Sequence, residues 1–116
     1  MPKTLTVLMV GLLAVGCATM PTMKSVAGVY EVKDIDGDTV SAVLLENGIT
    51  EKYENGKLEG KYKWSIVHGE IYVEDDDVTV LKTNKDGSLT AIAEIDKDGK
   101  RTDHPKEEQI TAKRIK

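Results

Sequence analysis

Along residues 61–74, KYKWSIVHGEIYVE, apolar and polar side chains alternate with a period of two. Tyr62, Trp64 and Ile66 interleave with Lys61, Lys63 and Ser65; after His68-Gly69, Ile71 and Val73 interleave with Glu70, Tyr72 and Glu74. That period puts one face of a strand in a core and the other in water, so the stretch predicts a β-hairpin. The rhythm continues in both directions. Val26, Gly28, Tyr30 and Val32 make one face of a first strand, Val40, Ala42 and Leu44 one face of a second, and Ile49 with Tyr53 one face of a short third over 49–54. The central hairpin supplies strands four and five, and 78–83 the sixth. Residues 88–95 form the seventh, with Leu89, Ala91, Ala93 and Ile95 on one face. Residues 100–108 read as a longer polar connection with one helical turn near Pro105, a residue suited to a first helical position, and 109–115 as the last strand.

Asn-Gly or Asp-Gly recurs at 36–37, 47–48, 55–56, 86–87 and 98–99. These dipeptides favour the left-handed backbone of tight hairpin turns. Loops this short cannot make crossovers, so neighbouring strands pair antiparallel. The fold class is therefore all-β: an up-and-down meander of about eight short strands, closed into a barrel or partly open as a curved sheet. Closure removes sheet edges, and an eight-stranded barrel has room for packed side chains or one small ligand. Ala42, Ala91, Ala93 and Ala112 on the inner face suit either use. A second apolar set, Val43, Leu45, Val67, Tyr72, Leu81 and Ile92, falls on the opposite face, as scattered surface residues or a contact patch.

The first residues follow another pattern. Residues 1–16 carry Lys3 as their only charge, followed by an apolar run over 5–15 that is too short to span a bilayer and suits the core of a secretory signal. The run ends at Leu13-Ala14-Val15-Gly16-Cys17, which resembles a bacterial lipobox, where a small residue precedes a cysteine that is lipidated and becomes the new N-terminus. An ordinary signal cleaved nearby, leaving Cys17 a free thiol, is the alternative. The organisation expected is a signal peptide at 1–16, a flexible tether with lipidated Cys17 at 17–25, and one β-barrel domain at 26–116. Ala18 after the cysteine, instead of an aspartate, resembles the pattern of outer-membrane delivery in a Gram-negative cell. Several acyl chains on one cysteine anchor a protein far longer than one.

Charge and composition narrow the partners. The chain has 16 basic and 20 acidic side chains and a formal charge of −4, which becomes −5 once Lys3 leaves with the signal. An acidic surface disfavours nucleic acid, whose binding needs clustered Lys and Arg. One cysteine permits no internal disulfide. With no Phe, the core must be built from Val, Ile, Leu and Ala around one Trp and a few Tyr.

Gly28-Val29-Tyr30, opening the first strand of an eight-strand meander, resembles the lipocalin Gly-x-Trp motif, with Tyr where tryptophan is usual. Lys113 and Arg114 in the last strand match the basic residue that packs over that aromatic in lipocalins. Over 25–115 the chain is similar to small bacterial lipocalin-like lipoproteins, with a shorter barrel than full lipocalins have. The resemblance implies the barrel topology more than any particular ligand.

Candidate chemistry is sparse. Asp34, Asp36 and Asp38 alternate like the start of a calcium loop, but an EF-hand wants Gly and Glu where Thr39 and Leu45 stand, so an Asp-Gly turn is expected. Asp75-Asp76-Asp77 reads as an acidic tip. His68 and His104 sit in loops as solvated residues. No metal or cofactor is expected, and no serine has an elbow motif or an evident His and Asp partner. Tyr30, Tyr53, Tyr62 and Trp64 are the candidate ligand-lining residues, or else the packing itself. The expected function is a non-enzymatic envelope binding module, anchored to the membrane through Cys17, for a small largely apolar ligand. The alternative is a protein-interaction or envelope-assembly module with a packed barrel.

Overall fold

The computed structural model describes residues 20–116; Cys17 and the leader lie outside them. The architecture is an antiparallel meander closed into an eight-stranded β-barrel, with one extra strand outside. A short helix α1 (Met23–Val26) leads into β1 (Gly28–Lys33), β2 (Thr39–Leu44), β3 (Ile49–Glu54), β4 (Lys57–Val67) and β5 (Glu70–Glu74). Then come β6 (Val78–Thr83), β7 (Leu89–Ile95), the extra β8 (Arg101–Asp103), a 3-10 turn (Lys106–Glu108) and β9 (Ile110–Arg114). Strands β1 to β7 pair in sequence, and β9 closes the cylinder between β7 and β1. No described helix is long and apolar enough to cross a membrane.

Two hairpins turn on only two residues. Asn55 and His68 adopt φ 50°, and Gly56 and Gly69 follow with φ 84° and 80°. Positive φ at both central positions is the twist-matched turn that joins neighbouring strands without splaying them.

The helix displaces two sequence assignments. Residues 22–25 fall in the expected tether and Val26 in the first strand. Instead Thr22 caps α1, its side chain accepting from Ser25 N while the Ser25 hydroxyl serves Thr22 N. Val26 is thereby carried into the core beside Tyr30, Leu44, Trp64, Ile71 and Leu89. Burying an apolar side chain here outweighs the freedom a tether would keep.

A bulge redirects one face. In the β6–β7 pairing Val80 opposes Ala93 while Leu81 opposes Ala91, which leaves Ile92 as the extra residue. The face expected to hold Leu89, Ala91, Ala93 and Ile95 therefore divides. Leu89 joins the main core, whereas Ala93 and Val80 are fully buried outside it. Tyr72 and Asp103 lie in the same cross-strand row. Leu81, expected on the outer face, packs against the core. The polar connection gains an unexpected strand for a geometric reason. Short β9 pairs only with Leu89–Ala91 along one edge of β7, and β8 covers the rest through Ala93–Ile95. An arginine bridge joins this outer strand to β5: Arg101 Nη1 donates to Glu70 Oε1 at 2.7 Å and its Nε to Asp103 Oδ1 at 2.9 Å. In the sheet β8 pairs with β7, β7 with β6 and β6 with β5, so this ion pair reaches across two intervening strands.

Candidate functional site

The barrel has a closed end and an open end. At the closed end, α1 and the β2–β3 turn pack over Trp64, whose indole Nε1 donates to Leu45 O at 2.8 Å and whose backbone N donates to Gly48 O at 2.8 Å. Trp64, Ile71, Leu44 and Leu89 make the floor. Above that floor the barrel is not filled. A cavity of about 220 Å³ remains, its apolar wall formed by Tyr30, Ala42, Leu44, Val73, Leu81 and Ala112. It extends to exposed Asp75, the first residue of the β5–β6 turn.

Tyr30 and Arg114 form the seam that closes the cylinder. The Tyr30 hydroxyl donates to Val26 O. Burial pushes its pKa up, with nearby Arg114 acting in the opposite direction. The Arg114 guanidinium lies 5.7 Å from the centre of the Tyr30 ring. It donates from Nη2 to Ala27 O and from Nη1 to Ser25 O, both at 2.8 Å, and from Nε to Lys116 O at 3.2 Å. Gly28 is needed at this crossing: a Cβ there would stand 2.5 Å from Lys116 O and 3.0 Å from Arg114 Nη2. Glycine, aromatic and arginine thus form one three-part joint.

The four candidate aromatics separate. Tyr30 and Tyr62 line the cavity, and Trp64 lies beneath it in the core. Tyr53 does not line it. Thr50 and Lys52 of β3 face inward instead, so Ile49, Glu51 and Tyr53 point outward, and the Tyr53 hydroxyl donates to Glu51 Oε1 at 3.1 Å. Pairing decides this orientation. Leu44 opposes Thr50 and Ala42 opposes Lys52, and a slip of one residue would turn every β2 or β3 side chain to the other face. The interior therefore contains polar groups that patterning did not assign to it. Thr50 is 3% exposed, and its Oγ1 has no hydrogen-bond partner among the described residues. Half-buried Lys52 forms no ion pair among them either.

The open end is acidic. Its turns, at residues 34–38, 55–56, 75–77 and 96–100, hold eight aspartates against Lys97 and Lys100. Carboxylate oxygens of Asp34, Asp38 and Glu54 lie within 4.8 Å of one another. Repulsion by Glu59, Asp38 and Asp34, with some desolvation, holds Glu54 above its usual range. Asp34 Oδ1 accepts from Asp36 N and Asp38 N, so the alternating carboxylates serve the turn. Neither histidine joins a cluster of three or more metal-ligand residues among the described residues. A second hollow of about 550 Å³ lies over the β6–β7 turn and the 3-10 turn, with Lys82, Lys85 and Lys106 around it. Its hydroxyls come together through strand pairing: Thr90 meets Thr111 at 2.7 Å, and Asn84 Nδ2 reaches Thr90 and Ser88. Sequence spacing carries no signal for such a meeting across 21 residues.

No family model, curated protein or solved structure matches the chain.

Proposed function

We propose that this protein is a non-catalytic, lipid-anchored binding module of the bacterial envelope that holds a small, largely apolar ligand inside its barrel. The observation that carries the reading is the apolar hollow of about 220 Å³ inside a closed barrel. Protein interiors pack to crystal-like density, and voids larger than a water molecule are few. An engineered apolar cavity of roughly 150 Å³ stays dry and takes up benzene-sized molecules.

Arg114 across the Tyr30 ring is the contact that a lipocalin resemblance implies, and it supports placing the chain beside the lipocalin-like lipoproteins. Cys17 in its lipobox-like setting supports the anchor, with outer-membrane attachment if the cell is Gram-negative. The anchor would enter at the closed end of the barrel, because residue 20 leads into α1 there. Held that way, the mouth opens away from the membrane, and ligand arrives from the aqueous side.

Native mass spectrometry of the chain from residue 18 onward, purified without detergent from its own host, tests the ligand. Bound mass of small-molecule size is expected, and a bare chain would overturn it. For the anchor, Cys17→Ser should release the protein from membranes, and continued retention would overturn that part. A second reading, an interaction or envelope-assembly module with a packed interior, draws support from cavity size. The hollow lies below the roughly 300–1,000 Å³ of usual ligand sites. Crosslinks from a bare chain to one envelope protein would establish it.

A further inference from the structure

The structure assigns the chemical class of the ligand through β3: we infer that the cavity takes a compact neutral molecule bearing a carbonyl-type oxygen, held by the Thr50 hydroxyl. This rests on the ligand-binding reading above and deepens it. Three observations carry it.

The first is the unpartnered hydroxyl. Thr50 lines the cavity, is 3% exposed, and leaves Oγ1 without a hydrogen bond among the described residues. Buried polar groups are nearly always paired, so an orphan at a cavity wall marks a place where a partner belongs. Oγ1 itself is sealed from solvent in this rotamer, and a χ1 rotation between staggered wells would present the hydroxyl to an occupant.

The second is a conflict between local pattern and final fold. Ile49 and Tyr53 would give β3 an apolar inner face, yet the pairing turns Thr50 and Lys52 inward. Disagreements between local preference and tertiary structure concentrate at functional positions. One strand thus contributes two donor-bearing side chains to a wall that Tyr30, Ala42, Val73 and Leu81 make largely apolar, with Thr79 and, at the mouth, Asp75 as further polar members.

The third is charge. Lys52 on the same wall forms no ion pair among the described residues and repels a cationic group. The eight aspartates of the mouth turns oppose an anion on its way in. A neutral oxygen acceptor escapes both, and it can receive hydrogen bonds from the threonine hydroxyl and the lysine ammonium. The volume restricts the occupant to a ring-sized body; a long acyl chain does not fit in about 220 Å³.

The test compares acetophenone with α-methylstyrene, which carries C=CH₂ in place of C=O. Binding is measured by titration calorimetry on the full chain in lipid nanodiscs, with empty discs as the blank. Comparing Thr50→Val with wild type for each probe cancels their different partition into lipid. A net hydrogen bond of 0.5–1.5 kcal/mol corresponds to roughly two- to twelvefold in affinity. Thr50→Val should therefore weaken acetophenone about fivefold and leave α-methylstyrene unchanged or tighter. Thr50→Ser, which keeps the hydroxyl, should retain the preference even if the valine protein folds poorly. Benzoate and benzylammonium should both bind more weakly than acetophenone. If both neutral probes bind and Thr50→Val changes them equally, the oxygen-acceptor inference is overturned while the cavity remains a ligand site. If neither binds the wild-type chain, the ligand reading falls and takes the inference with it.

Discussion

Replacing Arg114 tests how the cylinder is closed. The β1–β9 seam is short, with Tyr30 opposite Arg114 and Glu31 opposite Lys113, continued by Val29 N to Lys116 O and Ile115 N to Val29 O. Arg114 adds two bonds across it, to Ser25 O and Ala27 O, makes a local bond to Lys116 O at its own strand end, and lies over the Tyr30 ring. The partly buried bond to Ala27 O is worth about 1.5 kcal/mol, the low end for a charged donor. The two exposed bonds, whose carbonyls water can serve, add about 0.5 kcal/mol each. Stacking at 5.7 Å adds a further ~0.5–1 kcal/mol. Arg114→Ala should thus cost about 3 kcal/mol, a fall of roughly 15 °C in Tm for a domain this small. Arg114→Lys keeps the charge but lacks the planar fork, and should cost about half as much. Urea unfolding followed by Trp64 fluorescence gives both numbers if the slope with denaturant stays constant. A cycle with Tyr30→Leu should return ~0.5–1 kcal/mol of coupling. An alanine variant within about 1 kcal/mol of wild type, or a lysine variant equal to it, would refute the idea that the guanidinium fork holds the seam.

Further outcomes follow from the same structure. Gly28→Ala should reproduce much of the Arg114 loss, since its Cβ would collide with Lys116 O; denaturant unfolding checks it. Trp64→Ala should cost ~3–5 kcal/mol as a core truncation. Trp64→Phe should cost only about 1–2 kcal/mol, because Leu45 O keeps its bond from Gly48 N. Thr50→Val should raise the Tm of the ligand-free protein by relieving an unpaired buried hydroxyl, and a lowered Tm would show that the hydroxyl is already satisfied. Glu54 has a folded pKa raised above its ordinary 4.5 by neighbouring carboxylates. The folded state therefore binds more protons than the unfolded state between those two values, and this group's contribution to stability falls as pH rises through that window. Glu54→Gln should flatten that part of a Tm–pH profile and raise the Tm at neutral pH. Glu70 shifts the other way, lowered by its bond to Arg101. Its contribution is present above the ordinary carboxylate pKa and fades as pH falls through the lowered one. At these exposures Glu70→Gln should cost no more than about 1 kcal/mol by chemical denaturation at neutral pH.

Much of this barrel is written in local sequence. Period-two alternation set seven of the strands closely, and the Asn-Gly, His-Gly and Asp-Gly dipeptides set their antiparallel order, because turn geometry and strand pleat act over a few residues. Gly28, Tyr30 and Arg114 were legible together through a resemblance, and their joint is now visible as geometry. What tertiary structure alone decided is which way some strands face. β3 carries Ile49 and Tyr53 on one side and Thr50 and Lys52 on the other, and its own pattern favours the wrong one. Register against β2 overrides it, since a strand between two paired neighbours cannot rotate to suit itself. The bulge at Ile92 turned Ala93 away from Leu89 in the same manner, and β8 formed because short β9 left half an edge of β7 open. The cavity and its acidic mouth belong to this second kind. Eight aspartates spread over separate turns become one rim only when alternate hairpins of an up-and-down barrel arrive at the same end.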